Sequence, residues 1–272
     1  MPMNLFDIRN KVFVITGGTG TLGFSLIQYL IACGAKIALL TRSKDKAQHL
    51  ISSDSFSKTS IRVYQVDVLK TTELQSTSEK IMEDFKCVDV LINAVGGNVP
   101  GATIPDDGSV FDMKESDFDR VMDLNLKGTL LPTLVFGQLM SGQKSGSIIN
   151  FSSLTVTRVM TRVVGYSAAK AAMENFTRWM SVDMALKYND AIRVNAIAPG
   201  VFIANQNRSL LTNADGSYTP RGQAIIRNTP MKRFGLPHEL HGSVHFLACE
   251  ASKFVTGIVL PIDGGISIYS GI

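Results

Sequence analysis

Cysteine is scarce in this sequence of 272 residues. The three cysteines, Cys33, Cys87 and Cys249, are far apart and stand among apolar residues. They therefore have neither the pairing of a disulfide framework nor the spacing of a metal site. We expect buried thiols in a reducing compartment.

Runs of like charge and long apolar runs are also missing. The net charge is only +4, and the basic residues are scattered without interleaved aromatic residues, which argues against nucleic-acid binding and suits an anionic cofactor or substrate. The N-terminal segment MPMNLFDIRNK lacks the basic region and apolar core of a secretory signal. The longest apolar stretch, 24–40, is interrupted by Gly34 and Lys36, which favours helix, turn and strand over a membrane span. We expect a cytoplasmic protein without a nucleic-acid or membrane partner.

Three histidines near the end of the sequence, His238, His241 and His245, could share one helix at a spacing that metal sites use. No carboxylate accompanies them in a known ligand pattern. We therefore expect no metal site.

Short apolar runs alternate with segments of helical spacing along the chain. The runs are mostly apolar on successive residues, as is typical of strands covered on both faces, and their alternation with helices implies right-handed crossovers and a parallel sheet. The predicted strands are 12–16, 36–41, 61–66, 88–93, 147–152, 192–198 and 258–262, and the predicted helices are 22–33, 72–85, 117–140, 168–187 and 238–248. We predict a single α/β domain over residues 1–272, a Rossmann-type doubly wound parallel sheet of about seven strands flanked by helices.

Two predicted loops, 98–116 and 202–236, are longer than most connections in a compact domain. Such loops tend to be lids or binding segments. We expect the second to form a lid over the substrate.

A glycine-rich turn follows the first predicted strand and leads into a helix. Glycines there let the backbone approach a pyrophosphate, whose charge the helix N-terminus can hold. The turn could also be a simple tight connection, but its place after the first strand of an alternating pattern favours a dinucleotide site. The expected cofactor contacts in this turn are Gly17, Thr19, Thr21, Leu22 and Gly23.

The ends of the second and third predicted strands are where an adenosine would lie. An acidic residue that could bind both ribose hydroxyls of NAD is missing after the second strand, and Arg42 stands there instead. Arg42 could pair with a 2′-phosphate, so NADP(H) is favoured and NAD(H) is the alternative, unless Arg42 merely begins a solvated helix. Asp67 and Val68 could contact the adenine, or Asp67 could cap the next helix.

The fourth predicted strand ends in small residues that would let a nicotinamide ribose lie close to the sheet. They are Asn93, Ala94 and Gly96. Further on, Asn125 is a polar residue amid apolar helical spacing, where it would either satisfy a local backbone group or serve the site.

The segment 146–170 combines a strand end with a helix that carries Tyr166 and Lys170 four residues apart. At that spacing two side chains share one helix face, and a neighbouring ammonium favours the phenolate form of a tyrosine. Ser152 and Ser153 end the strand. The pattern is also compatible with ordinary helix surface, so its context decides.

Taken together, these residues resemble the classical short-chain dehydrogenase/reductases over essentially the whole chain. The resemblance rests on the turn 16–23, Asn93-x-x-Gly96, Asn125, Ser153 thirteen residues before Tyr166-x-x-x-Lys170, Pro199-Gly200 and Asp263-Gly264-Gly265. The segments NQNRSLL and TPMKRFG and the tail DGGISIYSGI are similar to the branch of D-mannonate oxidoreductases, or fructuronate reductases. The chain departs from the family pattern at Thr21, Ala94 and Ala204, where a glycine, an asparagine and a threonine are usual.

The resemblance implies roles for individual residues. Tyr166 would protonate the carbonyl oxygen while hydride arrives from the nicotinamide, and Ser153 would hydrogen-bond the same oxygen. Lys170 would hold the nicotinamide ribose and lower the pKa of the phenol, and Asn125 would anchor a water that supplies protons. Pro199 and Gly200 would lie beside the nicotinamide.

The substrate implied by the resemblance is a sugar acid, because the predicted lid carries amides that suit hydroxyls and arginines that suit a carboxylate. The expected substrate contacts are Asn98, Ser153, Arg162, Asn205 and Arg208. Another sugar, a polyol or a ketoacyl compound is an alternative substrate, and a non-catalytic NADP(H) sensor is an alternative function. Family members commonly pair their helices, so we expect a homotetramer.

Overall fold

The computed structural model describes residues 4–52, 60–188 and 190–271. Its centre is a parallel sheet with the strand order β3-β2-β1-β4-β5-β6-β7. The strands are β1 (Val12–Thr16), β2 (Lys36–Thr41), β3 (Ile61–Gln65), β4 (Val90–Asn93), β5 (Gly146–Phe151), β6 (Ile192–Pro199) and β7 (Val259–Ile262). The predicted α/β fold with a seven-stranded parallel sheet is confirmed.

Helices cover both faces of the sheet. They are α1 (Thr21–Ala32), α2 (Lys44–Ser52), α3 (Thr71–Phe85), α4 (Glu115–Met122), α5 (Gly128–Gln143), α6 (Val164–Lys187), α7 (Arg208–Leu211), α8 (Pro220–Asn228) and α9 (His241–Ala248). On β1, Phe13 and Ile15 pack into the layer that contains α1 and α9, whereas Val14 packs into the layer of α3, α5 and α6. Because successive side chains of a strand point to opposite faces, every position of β1 is buried.

The helix predicted over 117–140 is interrupted. After α4, residues Asp123–Lys127 form a π turn, and α5 begins at Gly128. Asn125 lies in this turn and donates from Nδ2 to the carbonyl oxygen of Val121 at 2.9 Å. Short π segments of this kind often occur at functional sites.

The predicted lid, 202–236, contains α7 and α8. A parallel bridge pairs Phe202 with Gly235, so the two ends of the segment meet. Inside the segment, Leu211, Ile225 and Phe234 form a small apolar cluster, together with side chains from the adjoining loops.

Trp179 of α6 leaves 59% of its surface exposed. No helix of the described ranges is long and apolar enough to span a membrane.

The backbone conformation of the turn between β1 and α1 requires glycine at position 17, and a substitution can test this. Gly17 has a φ of +70°, and a methyl group there would overlap the carbonyl oxygen of Ala94. Gly17→Ala is therefore expected to lower the free energy of unfolding by about 2 kcal/mol or more. Gly20→Ala is the matched control, because Gly20 has a φ of −83° and a methyl group there meets only the Gly17 oxygen at 3.4 Å.

Urea denaturation of both variants without cofactor measures this difference. The control is expected to lose less than about 1 kcal/mol. Equal losses in the two variants would contradict the argument.

Candidate active site

A cavity of about 420 Å³ lies at the carboxyl ends of the strands, where ligands bind in doubly wound sheets. It brings together parts of the chain that are far apart in sequence. Among the residues that line it are Leu22, Ala94, Gly96, Asn98, Ser153, Tyr166, Lys170, Pro199 and Gly200. Each of these is a residue that the sequence proposed for cofactor, substrate or catalysis.

The glycine turn leaves a cradle at the start of α1. A methyl group on Gly23 would come within 2.6 Å of the Gly17 oxygen, so only glycine fits there. Gly20, the N-cap of α1, gives no side-chain cap, and the first turn of the helix has no acidic residue. The first N–H groups of α1 are therefore left for an anion, and this arrangement fits the pyrophosphate of a dinucleotide.

Arg42 and Asp67, the residues expected near the adenosine, lie directly after β2 and shortly after β3. Arg42 directly follows β2, is exposed, and takes part in none of the ion pairs among the described residues. Asp67 uses Oδ1 to accept a hydrogen bond from the Leu69 N–H at 3.1 Å, which forms a turn before α3. The N-cap of α3 is Lys70, so Asp67 does not cap that helix.

Asn93 points away from the cavity. Its Nδ2 donates to Thr133 Oγ1 and to Asn150 Oδ1, both at 2.9 Å, and Asn150 in turn donates to Thr177 Oγ1 at 2.9 Å. This buried network connects the sheet with α5 and α6. The side chain of Asn93 is therefore structural, and at this strand end Ala94 and Gly96 line the cavity instead.

Asn125 is buried, and both the nitrogen and the oxygen of its side-chain amide form hydrogen bonds. Nδ2 donates to the Gly97 carbonyl at 2.7 Å, and Oδ1 accepts from the Gly97 N–H at 2.9 Å. A methyl group on Gly96 would lie 2.7 Å from this Oδ1 and 3.0 Å from Lys170 Nζ. Gly96 is thus the spacer that lets Asn125 and Lys170 approach the same point.

Lys170 is 97% buried, at 3% exposure, and its Nζ donates to the Phe151 carbonyl oxygen at 2.6 Å. The same Nζ lies 5.7 Å from the centre of the Tyr166 ring. Burial holds the pKa of Lys170 down to about 8, because an ammonium is disfavoured away from water.

Burial and Ser153 are the causes of the shift in the pKa of Tyr166. Burial raises the pKa of the Tyr166 phenol, and its hydrogen bond with Ser153 offsets only part of that rise. The physical reason is that loss of water around the phenol disfavours its ionised form. The phenol of Tyr166 is therefore favoured over the phenolate.

The two serines at the end of β5 have different partners. Ser152 Oγ donates to Glu174 Oε1 at 2.6 Å, and Glu174, itself buried, is paired with Arg178 at 3.0 Å. Ser153 is the hydroxyl that reaches Tyr166. Sequence reasoning missed Glu174, since a glutamate at helical spacing gives no sign of being buried.

Of the expected substrate residues, Asn98 and Ser153 line the cavity, but Arg162, Asn205 and Arg208 do not. Arg162 donates from Nε to the Ile104 carbonyl at 2.8 Å and pairs with Asp106, so it fastens the loop 98–116. Arg208 is exposed at the start of α7. Asn205 is exposed, and its N–H donates to Thr21 Oγ1 at 3.4 Å.

Other polar residues line the cavity as well: Thr103, Thr155, Gln206, Asn207 and Arg221. Gln206, Asn207 and Arg221 belong to the predicted lid, and the sequence pattern alone does not show which side chains of that segment reach the cavity. Separately, in the part of the chain that the structure describes, no group of three or more His, Cys, Asp or Glu side chains could hold a metal ion.

Comparison with known proteins gives consistent matches over nearly the full chain. A family model described as enoyl-(acyl carrier protein) reductase matches residues 19–267. A Bacillus subtilis protein named "Uncharacterized oxidoreductase UxuB" is 42% identical over 275 residues, which cover 98% of this chain and 98% of that protein.

Two solved structures match in fold and in sequence. A candidate D-mannonate oxidoreductase from Haemophilus influenzae with bound NAD is 39% identical, with a TM-score of 0.88 and coverage of 99% of this chain and 100% of that chain. A gluconate 5-dehydrogenase from Burkholderia cenocepacia in complex with NADP and tartrate is 27% identical, with a TM-score of 0.84 and coverage of 97% and 98%.

The lowered pKa of Lys170 predicts how stability depends on pH. The folded protein releases this proton near pH 8, whereas the unfolded chain holds it to about pH 10.5. Between these values the unfolded state binds more protons, so the contribution of Lys170 to stability rises with pH. The free energy of unfolding of the wild type, minus that of Lys170→Met, is expected to increase by about 2 kcal/mol between pH 7.5 and pH 10.

Urea titrations at both pH values test this prediction. Lys46→Met, which removes an exposed lysine from α2, is the control and is expected to give no such trend. A difference that stays flat for Lys170→Met would contradict the assignment of a buried ammonium.

Proposed function

The chain belongs to the short-chain dehydrogenase/reductase family, and from this premise we propose that it interconverts the keto and hydroxyl forms of a sugar acid, with fructuronate and mannonate as the first pair to test. The observation that carries the proposal is the meeting of Ser153, Tyr166 and Lys170 in one cavity. The family relatives are oxidoreductases, which sets aside a non-catalytic sensor.

In the proposed mechanism Tyr166 transfers the proton and Ser153 positions the carbonyl oxygen. When bound, the nicotinamide supplies a hydride to the carbonyl carbon or takes it back. Tyr166 donates its phenolic proton to the carbonyl oxygen during reduction, and Ser153 hydrogen-bonds that oxygen and keeps it in place. In the oxidation direction Tyr166 accepts the proton.

Lys170 and Asn125 have supporting roles in the proposal. The pKa of Lys170, about 8, lets its amine exchange protons near neutral pH, so it suits a relay to the phenol. Asn125 uses its amide on Gly97 and Val121, and Oδ1 keeps one lone pair with which to hold a water.

A sugar acid is supported by the cavity and by relatives. The pocket is lined by Gln206 and by Asn98, whose Oδ1 has no hydrogen-bond partner among the described residues, and both side chains suit hydroxyls. The amide of Asn207 is already bonded to the Ala204 N–H and the Phe202 carbonyl oxygen. The Haemophilus relative is a candidate D-mannonate oxidoreductase, and the Burkholderia relative is a gluconate dehydrogenase that holds tartrate, a hydroxy acid. Another sugar or polyol, or a ketoacyl compound, stays the alternative.

NADP(H) is the proposed cofactor, and NAD(H) is the alternative. The Haemophilus relative holds NAD and the Burkholderia relative holds NADP. Membership of the family therefore does not determine which of the two cofactors this chain prefers. The choice rests on Arg42, an exposed guanidinium directly after β2.

We also propose a homotetramer in the cytoplasm. One side of α5 and α6 exposes apolar side chains that pairing of subunits would cover: Leu134, Trp179, Val182 and Leu186. The three cysteines are free thiols, as a reducing compartment would keep them.

Tyr166→Phe tests the proposed proton transfer. Without the hydroxyl no proton reaches the carbonyl oxygen, so consumption of NAD(P)H with fructuronate is expected to fall about a thousandfold. Binding of the cofactor, followed by fluorescence titration, is expected to change less than about threefold, because the ring remains. Tyr188→Phe at the end of α6 removes an exposed hydroxyl and serves as the control. Near-normal turnover by Tyr166→Phe would refute the mechanism.

Arg42→Ala tests the choice of cofactor. A guanidinium and a phosphate form charge-assisted hydrogen bonds, so the variant is expected to bind NADPH about tenfold more weakly or worse, and NADH nearly as before. The dissociation constants of both cofactors, compared with those of Lys80→Ala on α3, decide the point. Equal losses for NADPH and NADH would overturn the preference.

A further inference from the structure

Arg221 is the one arginine among the described residues that line the catalytic cavity, and we propose that it binds the carboxylate of the substrate and so determines the preference for acids over neutral sugars. The inference rests on the proposed function. Among the described residues that line the cavity, only Lys170 and Arg221 are basic. These two side chains are therefore the cationic groups that could bind an anionic group of the substrate.

Lys170 already has a hydrogen-bond partner and a position beside the reacting groups, so it is not the partner of the carboxylate. Its Nζ donates to the Phe151 carbonyl oxygen and lies beside Gly96, below the phenol of Tyr166. An anion drawn to this amine would compete with the reacting oxygen for the same space. The carboxylate of a substrate that also presents its carbonyl to Tyr166 must lie further out, toward the lid.

Arg221 is held only by weak, neutral contacts. One of its terminal nitrogens is 3.3 Å from Thr161 Oγ1 and the other is 3.4 Å from the Thr161 carbonyl oxygen, both at the long end of hydrogen-bond distances. The ion pairs among the described residues do not include it. A carboxylate can accept two parallel N–H bonds from the same fork, which is a stronger interaction than either present contact.

The surroundings of Arg221 strengthen its attraction for an anion. It is the second residue of α8, after Thr219 and Pro220, so the positive end of the helix lies beside it. The lid side chains Leu211 and Ile225 also line the cavity and lower the local polarity.

The other arginines that the sequence suggested do not compete for this role. Arg162 is tied to the Ile104 carbonyl and to Asp106, and Arg208 lies outside the cavity. Arg208 is therefore a matched control, because it belongs to the same lid but does not line the pocket.

Thr161, the present partner of the Arg221 guanidinium, is exposed and stands next to Arg162 in the chain. Its neighbour Arg162 exchanges hydrogen bonds with Ile104, donating from Nε at 2.8 Å and accepting at its carbonyl at 3.0 Å. The present contact of Arg221 thus connects the lid with the loop 98–116, which carries Asn98. A carboxylate in the cavity would replace Thr161 as the partner of the guanidinium.

The experiment compares fructuronate with fructose, which has a hydroxymethyl group in place of the carboxylate. Steady-state kinetics are measured for the wild type, Arg221→Gln, Arg221→Lys and Arg208→Gln at saturating NADPH. Arg221→Gln is expected to raise KM for fructuronate about 30-fold, with kcat changed less than about threefold and with kcat/KM for fructose unchanged. Arg221→Lys is expected to recover part of the affinity, and Arg208→Gln to behave as the wild type.

The outcomes separate this inference from the proposed function. If the wild type turns over fructuronate or another ketouronate but Arg221→Gln keeps the same preference for acid over neutral sugar, the role of Arg221 is overturned and the function stands. Equal losses on fructuronate and fructose, or a fall in the melting temperature beyond about 4 °C, would indicate a structural role and also overturn it. If the wild type turns over no sugar acid, the proposed function fails and the inference fails with it.

Discussion

The burial of the Lys170 ammonium is the constraint on which the arrangement of the site depends. Taking a charge out of water costs several kcal/mol unless polar groups replace the water. Nζ has the Phe151 carbonyl oxygen at 2.6 Å, and this contact fixes the end of β5 against α6. Gly96 is needed beside it, since even a methyl group would enter the space between Nζ and Asn125. One poorly solvated charge thus sets the distance between two strand ends and a helix.

Two more buried polar contacts hold α6 in the same orientation. Glu174 accepts a hydrogen bond from Ser152, and Thr177 accepts one from Asn150. Lys170, Glu174 and Thr177 follow each other at helical spacing, so they lie on one face of α6 and all meet β5. The helix therefore cannot rotate or slide without breaking three buried interactions. Tyr166, one turn before Lys170, takes its position from that same face.

The sequence predicted those features that depend on local pattern. Strands covered on both faces need successive apolar residues, and β1 and β2 begin and end where the apolar runs do. The spacing of Tyr166 and Lys170 predicted that they share a helix face, and their role was recognisable only together with the other motifs of the chain. The π turn was not recognisable, because Asn125 bonds Gly97, 28 residues away in sequence. Nor could sequence tell which arginine reaches the pocket, since Arg162 is occupied by a carbonyl 58 residues away.

The paired ends of the segment 202–236 have a consequence for how such a protein diversifies. Because Phe202 and Gly235 meet in a bridge, the segment 202–236 leaves and rejoins the domain at one place. Its side chains Leu211, Ile225 and Phe234 pack in one apolar cluster with Leu154 and Ile266 from outside the segment. A different segment can therefore be joined at the same two points of the chain. Ser153, Tyr166 and Lys170 would keep their supports in β5 and α6. One catalytic sheet can thereby acquire new substrates by exchange of a single loop.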